Sequence, residues 1–200
     1  MPVDRLLVAT TNAGKLREIR AMLAGLPIPL STLADYPPIE APEETGTTFA
    51  ENARLKAFFY AAALGLPTIA EDSGLEIDAM GGAPGVESAR FGGVDSTYPE
   101  KFALIYDRLA GVPQSARTAR FVCTLALVDA GSLRFEARGV VEGEIAPEPR
   151  GEGGFGYDPI FFYPPFGCTL AEAGARKGEV SHRAIAFARL KQYLSVTFGL

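Results

Sequence analysis

Two strand-forming segments separated by a short turn constrain the fold of this 200-residue chain more than any other feature. Apolar residues dominate Ala119–Val128, and they alternate with charged residues along Leu133–Val141. The connecting Asp129-Ala130-Gly131-Ser132 is typical of a tight turn, so the pattern predicts an antiparallel hairpin. Because the chain before it alternates between strand-like and helix-like segments, we expect an α/β fold built around a mixed β-sheet.

The strand-like and helix-like segments have recognisable boundaries. Arg5–Thr10 is an apolar run suited to a buried strand, and Leu16, Ile19 and Leu23 then recur at helical spacing until Gly25 and Pro27. The pairs Thr48–Glu51 and Thr97–Glu100 fit capping boxes that begin two further helices. We also expect a buried strand over Pro67–Ala70, and a last helix capped by Ser181.

Composition excludes several classes of protein. With 48% hydrophobic and 22% charged residues the chain is ordinary for a globular protein, and without repeats or linkers residues 1–200 are expected to form a single domain. Phe58–Leu66, the longest nearly apolar stretch, is far shorter than the roughly 20 residues of a membrane helix. Met1–Arg5 lacks the features of a signal peptide, which predicts a cytoplasmic protein.

Charge and cysteine content narrow the function further. A net charge of −5 argues against binding to a nucleic-acid backbone. The only cysteines, Cys123 and Cys168, form no Cys-x-x-Cys pair, so neither a disulfide framework nor a thiolate zinc site is expected. Because the net charge is negative, any phosphate chemistry must depend on a local basic pocket.

Lys15 stands where the first strand passes into the first helix. A lysine in the first turn opposes the helix dipole but is well placed for an anion such as a phosphate. The alternative is that Asn12 only caps the helix and Lys15 is solvated. Asn52 and Lys56, four residues apart in the second helix, pose the same choice between a polar face aimed at a ligand and a merely solvated one.

Adjacent acids follow the strand predicted at Pro67–Ala70. The segment Glu71-Asp72-Ser73-Gly74 places two carboxylates beyond the end of a strand, where ligands bind in open α/β sheets. A second pair of acids is Glu43-Glu44. Carboxylates are the hard oxygen ligands that Mg²⁺ prefers when it also binds phosphates. The alternative is a turn in which an acid binds nearby backbone N–H groups.

A glycine-rich segment, Gly151–Pro159, combines backbone freedom with two aromatic residues and an acid. Phe155 or Tyr157 could stack on a base, or both could lie in the core of a tight loop. The single histidine, His182, cannot form a multi-histidine metal site, but with Arg183 and Lys177 it could bind the base and phosphates of one ligand.

Six segments together resemble the inosine triphosphate pyrophosphatase family in order and spacing. They are Thr-Thr-Asn-Ala-Gly-Lys (10–15), Glu-Glu-Thr-Gly (43–46), Glu-Asp-Ser-Gly-Leu (71–75), Gly-Gly-Ala-Pro-Gly (81–85), Gly-Gly-Phe-Gly-Tyr-Asp-Pro (153–159) and Ser-His-Arg (181–183). The resemblance covers nearly the whole chain. It implies an α/β fold with a long mixed central β-sheet flanked by helices, two lobes with an active-site cleft between them, and a homodimer.

The resemblance also implies an activity and its residues. Members hydrolyse the α–β phosphate bond of inosine, deoxyinosine and xanthosine triphosphates with Mg²⁺, which cleanses the nucleotide pool. Asp72 matches the catalytic acid/base and a metal ligand, and Glu43 is a further candidate metal ligand. The positions matched to substrate binding are Thr10, Thr11, Asn12, Ala13, Gly14, Lys15, Lys56, Ser73, Phe155, Gly156, Tyr157, Asp158, Lys177, His182 and Arg183.

The chain departs from the family at one point, and two other functions remain open. Family members often carry acids just before Lys177, whereas this chain has Ala175-Arg176, which predicts a more positive local field.

A pyrophosphatase for other modified nucleotides would share the metal and phosphate groups, but the Ser181–Arg183 segment disfavours it. A regulatory module that only binds nucleotides would gain nothing from carboxylates beside a polyphosphate unless a metal bridges them.

Overall fold

The computed structural model describes residues 5–198. Residues 1–4, on which the expectation about a signal peptide partly depends, and residues 199–200 lie outside the described residues. The helices and strands, in chain order, are β1 (Leu6–Val8), α1 (Ala13–Met22), β2 (Leu30–Thr32), α2 (Phe49–Leu64), β3 (Thr68–Ile77), α3 (Tyr98–Arg108), β4 (Thr118–Asp129), β5 (Ser132–Ile145), β6 (Phe161–Tyr163), β7 (Cys168–Thr169), α4 (Lys177–Val180) and α5 (His182–Phe198).

The strands form one seven-stranded sheet in the order β2-β1-β3-β4-β5-β6-β7. Strand β1 pairs in parallel with β2 and β3, whereas β6 pairs antiparallel with β5 and β7. The hairpin β4–β5 turns at Ala130 and Gly131, both with positive φ, 48° and 69°. The predicted α/β fold with a mixed sheet is confirmed.

The chain divides into two compact units. The first contains Met1–Asp72, Cys123–Gly139 and Arg183–Leu200, and the second contains Ser73–Val122 and Val140–His182. Strands β3, β4 and β5 contribute residues to both units. The expectations of a single domain and of a cleft between lobes stay predictions.

Local capping signals begin α2 and α3, and end α2, as predicted. In α2 the Thr48 hydroxyl accepts a hydrogen bond from the Glu51 N–H, and the Glu51 carboxylate accepts one from the Thr48 N–H. Gly65 ends this helix in the left-handed conformation, φ 66°. Glu100 accepts a hydrogen bond from the Thr97 N–H at the start of α3, 2.7 Å away. The predicted capping boxes are therefore confirmed.

Two apolar clusters in the first unit use different residues of the same strands. Ile69 of β3 packs in the cluster that includes Ile19 of α1 and Phe187 of α5. The next residue, Ala70, packs in the cluster that includes Ala57 of α2. This alternation is that of a strand whose successive side chains point to opposite faces of the sheet. It determines where the two residues that follow Ala70 must point.

Two local predictions are wrong. Strand β3 continues past Ala70 to Ile77, so Glu71, Asp72 and Ser73 lie inside the strand rather than in a segment after it. Ser181 precedes α5, but within residues 5–198 its buried hydroxyl has no hydrogen-bond partner, so it makes no side-chain cap. The first error has a physical cause: cations from distant parts of the chain compensate the buried acids.

Two features are absent from the described part of the chain, a membrane-spanning helix and a disulfide bond. Its helices include none long and apolar enough to cross a membrane. Cys123 is buried, Cys168 is partly exposed, and both are free thiols.

Candidate active site

Glu71 and Asp72 are neighbours in β3, and both are buried. Following the alternation of Ile69 and Ala70, Glu71 points to the face packed by α1 and α5, and Asp72 points to the face packed by α2. Buried carboxylates require cations or hydrogen-bond donors. Glu71 and Asp72 therefore contact separate sets of partners on opposite faces of the sheet.

Asp72 contacts two residues of α2. The ammonium of Lys56 donates to Asp72 Oδ1 at 3.0 Å and to Glu44 Oε1 at 2.6 Å. The amide of Asn52 donates to Asp72 Oδ2 at 3.4 Å. The interpretation of Asn52 and Lys56 as a merely solvated face is therefore wrong, because this polar face of α2 contacts Asp72.

Around Asp72 and Lys56, burial and the neighbouring charges shift each pKa in opposite directions. Burial raises the pKa of the Asp72 carboxyl above its ordinary value, and the Lys56 ammonium only partly offsets this. For Lys56, burial alone would lower the pKa, but Asp72 and Glu44 outweigh it and the pKa is raised. Lys56 is therefore a persistent cation beside a carboxylate with increased proton affinity.

Glu71 forms ion pairs with cations of two helices. Lys15 Nζ, in the first turn of α1, lies 2.8 Å from Glu71 Oε1, and Arg183 Nη2 of α5 lies 3.5 Å from the same oxygen. Burial alone would raise the pKa of Glu71, but Arg183 and Lys15 outweigh it, so the pKa lies well below its ordinary value. Arg183 also bonds Glu18 Oε2 at 2.7 Å, and the Cys123 thiol donates to Glu71 Oε2 at 3.3 Å.

The segment before Lys15 forms the helix start that the sequence predicted. Asn12 Oδ1 accepts a hydrogen bond from the Lys15 N–H at 3.0 Å, and Thr10 Oγ1 accepts one from the Asn12 N–H at 3.2 Å. Asn12 is thus a cap, but Lys15 is not a solvated residue, since its ammonium binds a buried acid. Thr11, Asn12 and Ala13 are exposed at this helix start.

The two acids of the 43–46 segment differ in position. Glu44 shares the Lys56 ammonium with Asp72, whereas Glu43 is exposed. Within residues 5–198 no group of three or more histidine, cysteine or acidic residues is arranged to hold a metal ion. The pair Asp72 and Glu44 nevertheless offers two hard oxygen ligands, and Mg²⁺ needs only one or two when phosphates and waters supply the rest.

A second group of predicted site residues lies in the second unit. Asp158 is buried, and its Oδ2 accepts hydrogen bonds from the Phe155 N–H at 2.7 Å and from Lys177 Nζ at 2.6 Å. Lys177 Nζ also lies 4.5 Å from the centre of the Phe155 ring. A Cβ at Gly154 would come within 2.1 Å of Asp158 Oδ2, so glycine is required there.

The two aromatic residues of this loop have different surroundings. Phe155 is half-buried, and Gly156 beside it has a positive φ of 70°. Tyr157 lies in the core, where its ring meets Tyr98 edge to face and its hydroxyl donates to the Ser88 carbonyl at 2.8 Å. The proposal that Tyr157 stacks on a base is therefore disfavoured, and Phe155 is the aromatic residue with an accessible surface.

The residues of the Ser-His-Arg segment also have different surroundings. The His182 ring stacks on Phe121 with centroids 5.0 Å apart, in the second unit. Arg183 belongs to the first unit, and its side chain is 1% exposed between Glu18 and Glu71. Arg176, where the chain departs from the family, lies 3.9 Å from the centre of the Phe166 ring. Base binding by Arg183 stays a prediction, and its observed contacts are ion pairs.

The positions matched by resemblance do not include Asn52, Glu18, Glu44 or Glu71, although the sequence pattern raised all of these except Glu18 as candidates. The spacing of Asn52 and Lys56 was a usable signal, because residues four apart share a helix face. Glu44 and Glu71 are each adjacent in sequence to a matched residue, Glu43 and Asp72. Nothing in the sequence distinguished Glu18, since its partner Arg183 is 165 positions away.

Comparisons with known proteins agree on one family. The Ham1 family model matches residues 6–193. A dITP/XTP pyrophosphatase of Geobacter sulfurreducens is 49% identical over 193 residues, which are 96% of this chain and 97% of that protein. Among solved structures, a HAM1 protein from Coxiella burnetii has a TM-score of 0.87 and 40% identity, covering 96% of this chain and 98% of that one. The Ham1 protein of Staphylococcus aureus has a TM-score of 0.88 and 34% identity, covering 96% and 99%.

Proposed function

The chain belongs to the Ham1 family, and on that premise we propose that it is a nucleoside triphosphate pyrophosphatase. It hydrolyses non-standard purine nucleoside triphosphates such as inosine, deoxyinosine and xanthosine triphosphates. The products are the nucleoside monophosphate and pyrophosphate, and the reaction removes damaged purines from the nucleotide pool.

The observation that carries this proposal is the buried carboxylate of Asp72 beside Lys56 and Glu44. Its pKa is raised by burial, which favours a group that accepts a proton during catalysis. Asp72 takes a proton from the attacking water, while Lys56 and Lys15 stabilise the negative charge that develops on the phosphates.

The donor set around Asp72 fits Mg²⁺. Asp72 and Glu44 would hold the ion through carboxylate oxygens, and the bound ion would neutralise part of the triphosphate charge. Glu43 was the acid matched by resemblance, but Glu44 is the one that shares a cation with Asp72. Glu44→Gln and Glu43→Gln form a matched pair: only the first is expected to raise the Mg²⁺ concentration needed for half-maximal activity. Equal effects, or an effect of Glu43→Gln alone, would reject Glu44.

Phosphates bind at the start of α1. The first N–H groups of a helix lack intrahelical partners and carry the positive end of the dipole, which favours an anion. The residues proposed to contact the phosphates are Thr10, Thr11, Asn12, Ala13, Gly14 and Lys15. The ammonium of Lys15 has three donors and uses one on Glu71, so the others are available to a phosphate oxygen.

The base is recognised by the group around Asp158. We assign stacking to Phe155, and hydrogen bonding to Lys177, Asp158 and His182. Hypoxanthine and xanthine carry a carbonyl acceptor at C6 where adenine carries an amino donor, so donors at that edge discriminate against adenine. The other residues matched by resemblance are Ser73, Gly156, Tyr157 and Arg183.

One experiment tests the proposed function. Purified protein with Mg²⁺ is given inosine, xanthosine, adenosine and guanosine triphosphates, and pyrophosphate and orthophosphate are measured separately. We expect pyrophosphate, with kcat/KM for the first two at least about 10²-fold above the others. Asp72→Asn should bind nucleotide and lower kcat by a factor on the order of 10² or more. Orthophosphate release, equal use of all four nucleotides, or binding without turnover would reject the proposal.

Assembly and location complete the proposal. The resemblance supports a homodimer, and the sequence supports a cytoplasmic protein. Light scattering of the purified chain tests the first, and cell fractionation tests the second. A monomer over the whole measurable concentration range, or recovery outside the cytoplasm, would contradict them.

A further inference from the structure

Asn52 is a fully buried polar residue in the first turns of α2, with an exposure of 0%. A buried amide is costly unless its oxygen and its nitrogen both find partners. The Asn52 side chain has one partner on each side, Gly46 and Asp72. This residue therefore connects the segment that carries Glu44 with the strand that carries Asp72.

The hydrogen bonds determine which way the amide points. Asn52 Oδ1 lies 2.8 Å from the backbone nitrogen of Gly46, and a backbone N–H can only donate. The amide oxygen must therefore face Gly46, which turns the NH₂ group toward Asp72 Oδ2, 3.4 Å away. Lys56 donates to the other oxygen, Oδ1. Both oxygens of Asp72 thus receive a donor, and the plane of the carboxylate is restrained.

Gly46 permits this arrangement. A Cβ added at Gly46 would lie 2.6 Å from Asn52 Oδ1 and 2.7 Å from Glu51 Cβ. Any larger residue would displace the amide or move the segment away from α2. The close approach of this backbone to Asn52 holds Glu44, two residues earlier, near the Lys56 ammonium.

We propose that Asn52 is a positioning residue for hydrolysis, which orients the Asp72 carboxylate and anchors the segment carrying Glu44. The proposal rests on the proposed function, in which Asp72 accepts the proton of the attacking water. Asn52 acts through Asp72 and Glu44, so it should influence kcat more than KM.

Asn52→Asp separates the two contacts of this residue. The new carboxylate keeps an acceptor for the Gly46 N–H but replaces the donor facing Asp72 with an acceptor. We expect kcat to fall by about 10- to 100-fold, the scale for a misplaced catalytic group, while KM changes by less than about threefold. Arg54→Gln is the matched control, because it makes the same change in charge at a partly exposed position of α2, and its kcat should stay within about twofold of wild type.

Two further variants test the geometry if Asn52→Asp folds poorly. Gly46→Ala leaves Asn52 in place but pushes against its oxygen, and kcat should again fall. The exchange Asn52→Asp with Asp72→Asn restores a donor and an acceptor in reversed positions, so it should recover the thermal stability lost in Asn52→Asp without recovering activity.

The outcomes distinguish this proposal from the proposed function. Wild-type kcat in Asn52→Asp or in Gly46→Ala, or no recovery of stability in the exchange variant, would overturn the role of Asn52 alone. An inactive wild-type protein, or full activity in Asp72→Asn, would overturn the proposed function. In that case the stability of the exchange variant would still decide whether Asn52 and Asp72 form a pair.

Discussion

Replacing Lys15 with methionine should destabilise the fold as well as weaken phosphate binding. Methionine keeps an unbranched apolar chain of similar length but removes the ammonium. The variant leaves the carboxylate of Glu71, which is 1% exposed, without its closest cation. A buried charge that loses its partner costs more than the same contact on a surface.

The size of the effect follows from the geometry. At 2.8 Å, and with an effective dielectric constant of about 20, the direct attraction between Lys15 and Glu71 is about 6 kcal/mol before desolvation is subtracted. Arg183 remains 3.5 Å from Glu71, so the loss should be smaller than for a pair without a second cation. We expect a decrease of about 2 to 3 kcal/mol in the free energy of unfolding, which lowers Tm by about 4 to 12 °C in a chain of this length.

Urea unfolding of four proteins measures the interaction itself. Wild type, Lys15→Met, Glu71→Gln and the double variant form a cycle whose coupling energy should be at least about 1 kcal/mol. Arg17→Met is the control, since it removes a cation from an exposed position of the same helix and should change stability by less than about 0.5 kcal/mol. Additive effects in the cycle, or a Lys15→Met variant as stable as the control, would refute the argument.

Three other changes have distinct expected results. Phe155→Leu should raise KM for inosine triphosphate about fivefold or more if the ring stacks on the base. Tyr157→Phe should leave KM unchanged and lower the free energy of unfolding by about 1 kcal/mol, because the bond to the Ser88 carbonyl is lost. The opposite pattern in steady-state kinetics would reverse the assignment. Arg183→Lys should lower the free energy of unfolding by about 2 kcal/mol, since an ammonium cannot replace the planar guanidinium between Glu18 and Glu71, and unchanged urea unfolding would contradict this. Burial raises the pKa of Tyr106 to about 12 from its ordinary 10.0, so the folded state favours the neutral phenol. The stability that this shift contributes should be complete below pH 10.0 and lost as the pH rises through about 12. Ultraviolet titration, with Tyr106→Phe as the control, measures the pKa of this hydroxyl and would show no shift if the hydroxyl were solvated.

Signals that depend on neighbouring residues allowed much of the fold to be predicted from the sequence. The capping boxes at Thr48 and Thr97 determine helix starts because each uses only residues three positions apart. The turn at Ala130 and Gly131 joins β4 and β5 for the same reason: its geometry is local. The resemblance across six segments then indicated the family, since its motifs are contiguous stretches of chain.

The tertiary structure alone decided how the charged residues are paired. An acidic pair after an apolar run predicts a turn, because carboxylates inside a strand are unfavourable without partners. The charged partners of Glu71 are Lys15 and Arg183, 56 positions before it and 112 after it. Periodicity and capping carry no information about residues so distant. Packing of α1 and α5 on one face of β3, and of α2 on the other, brings the cations to the acids and makes burial of Glu71 and Asp72 possible.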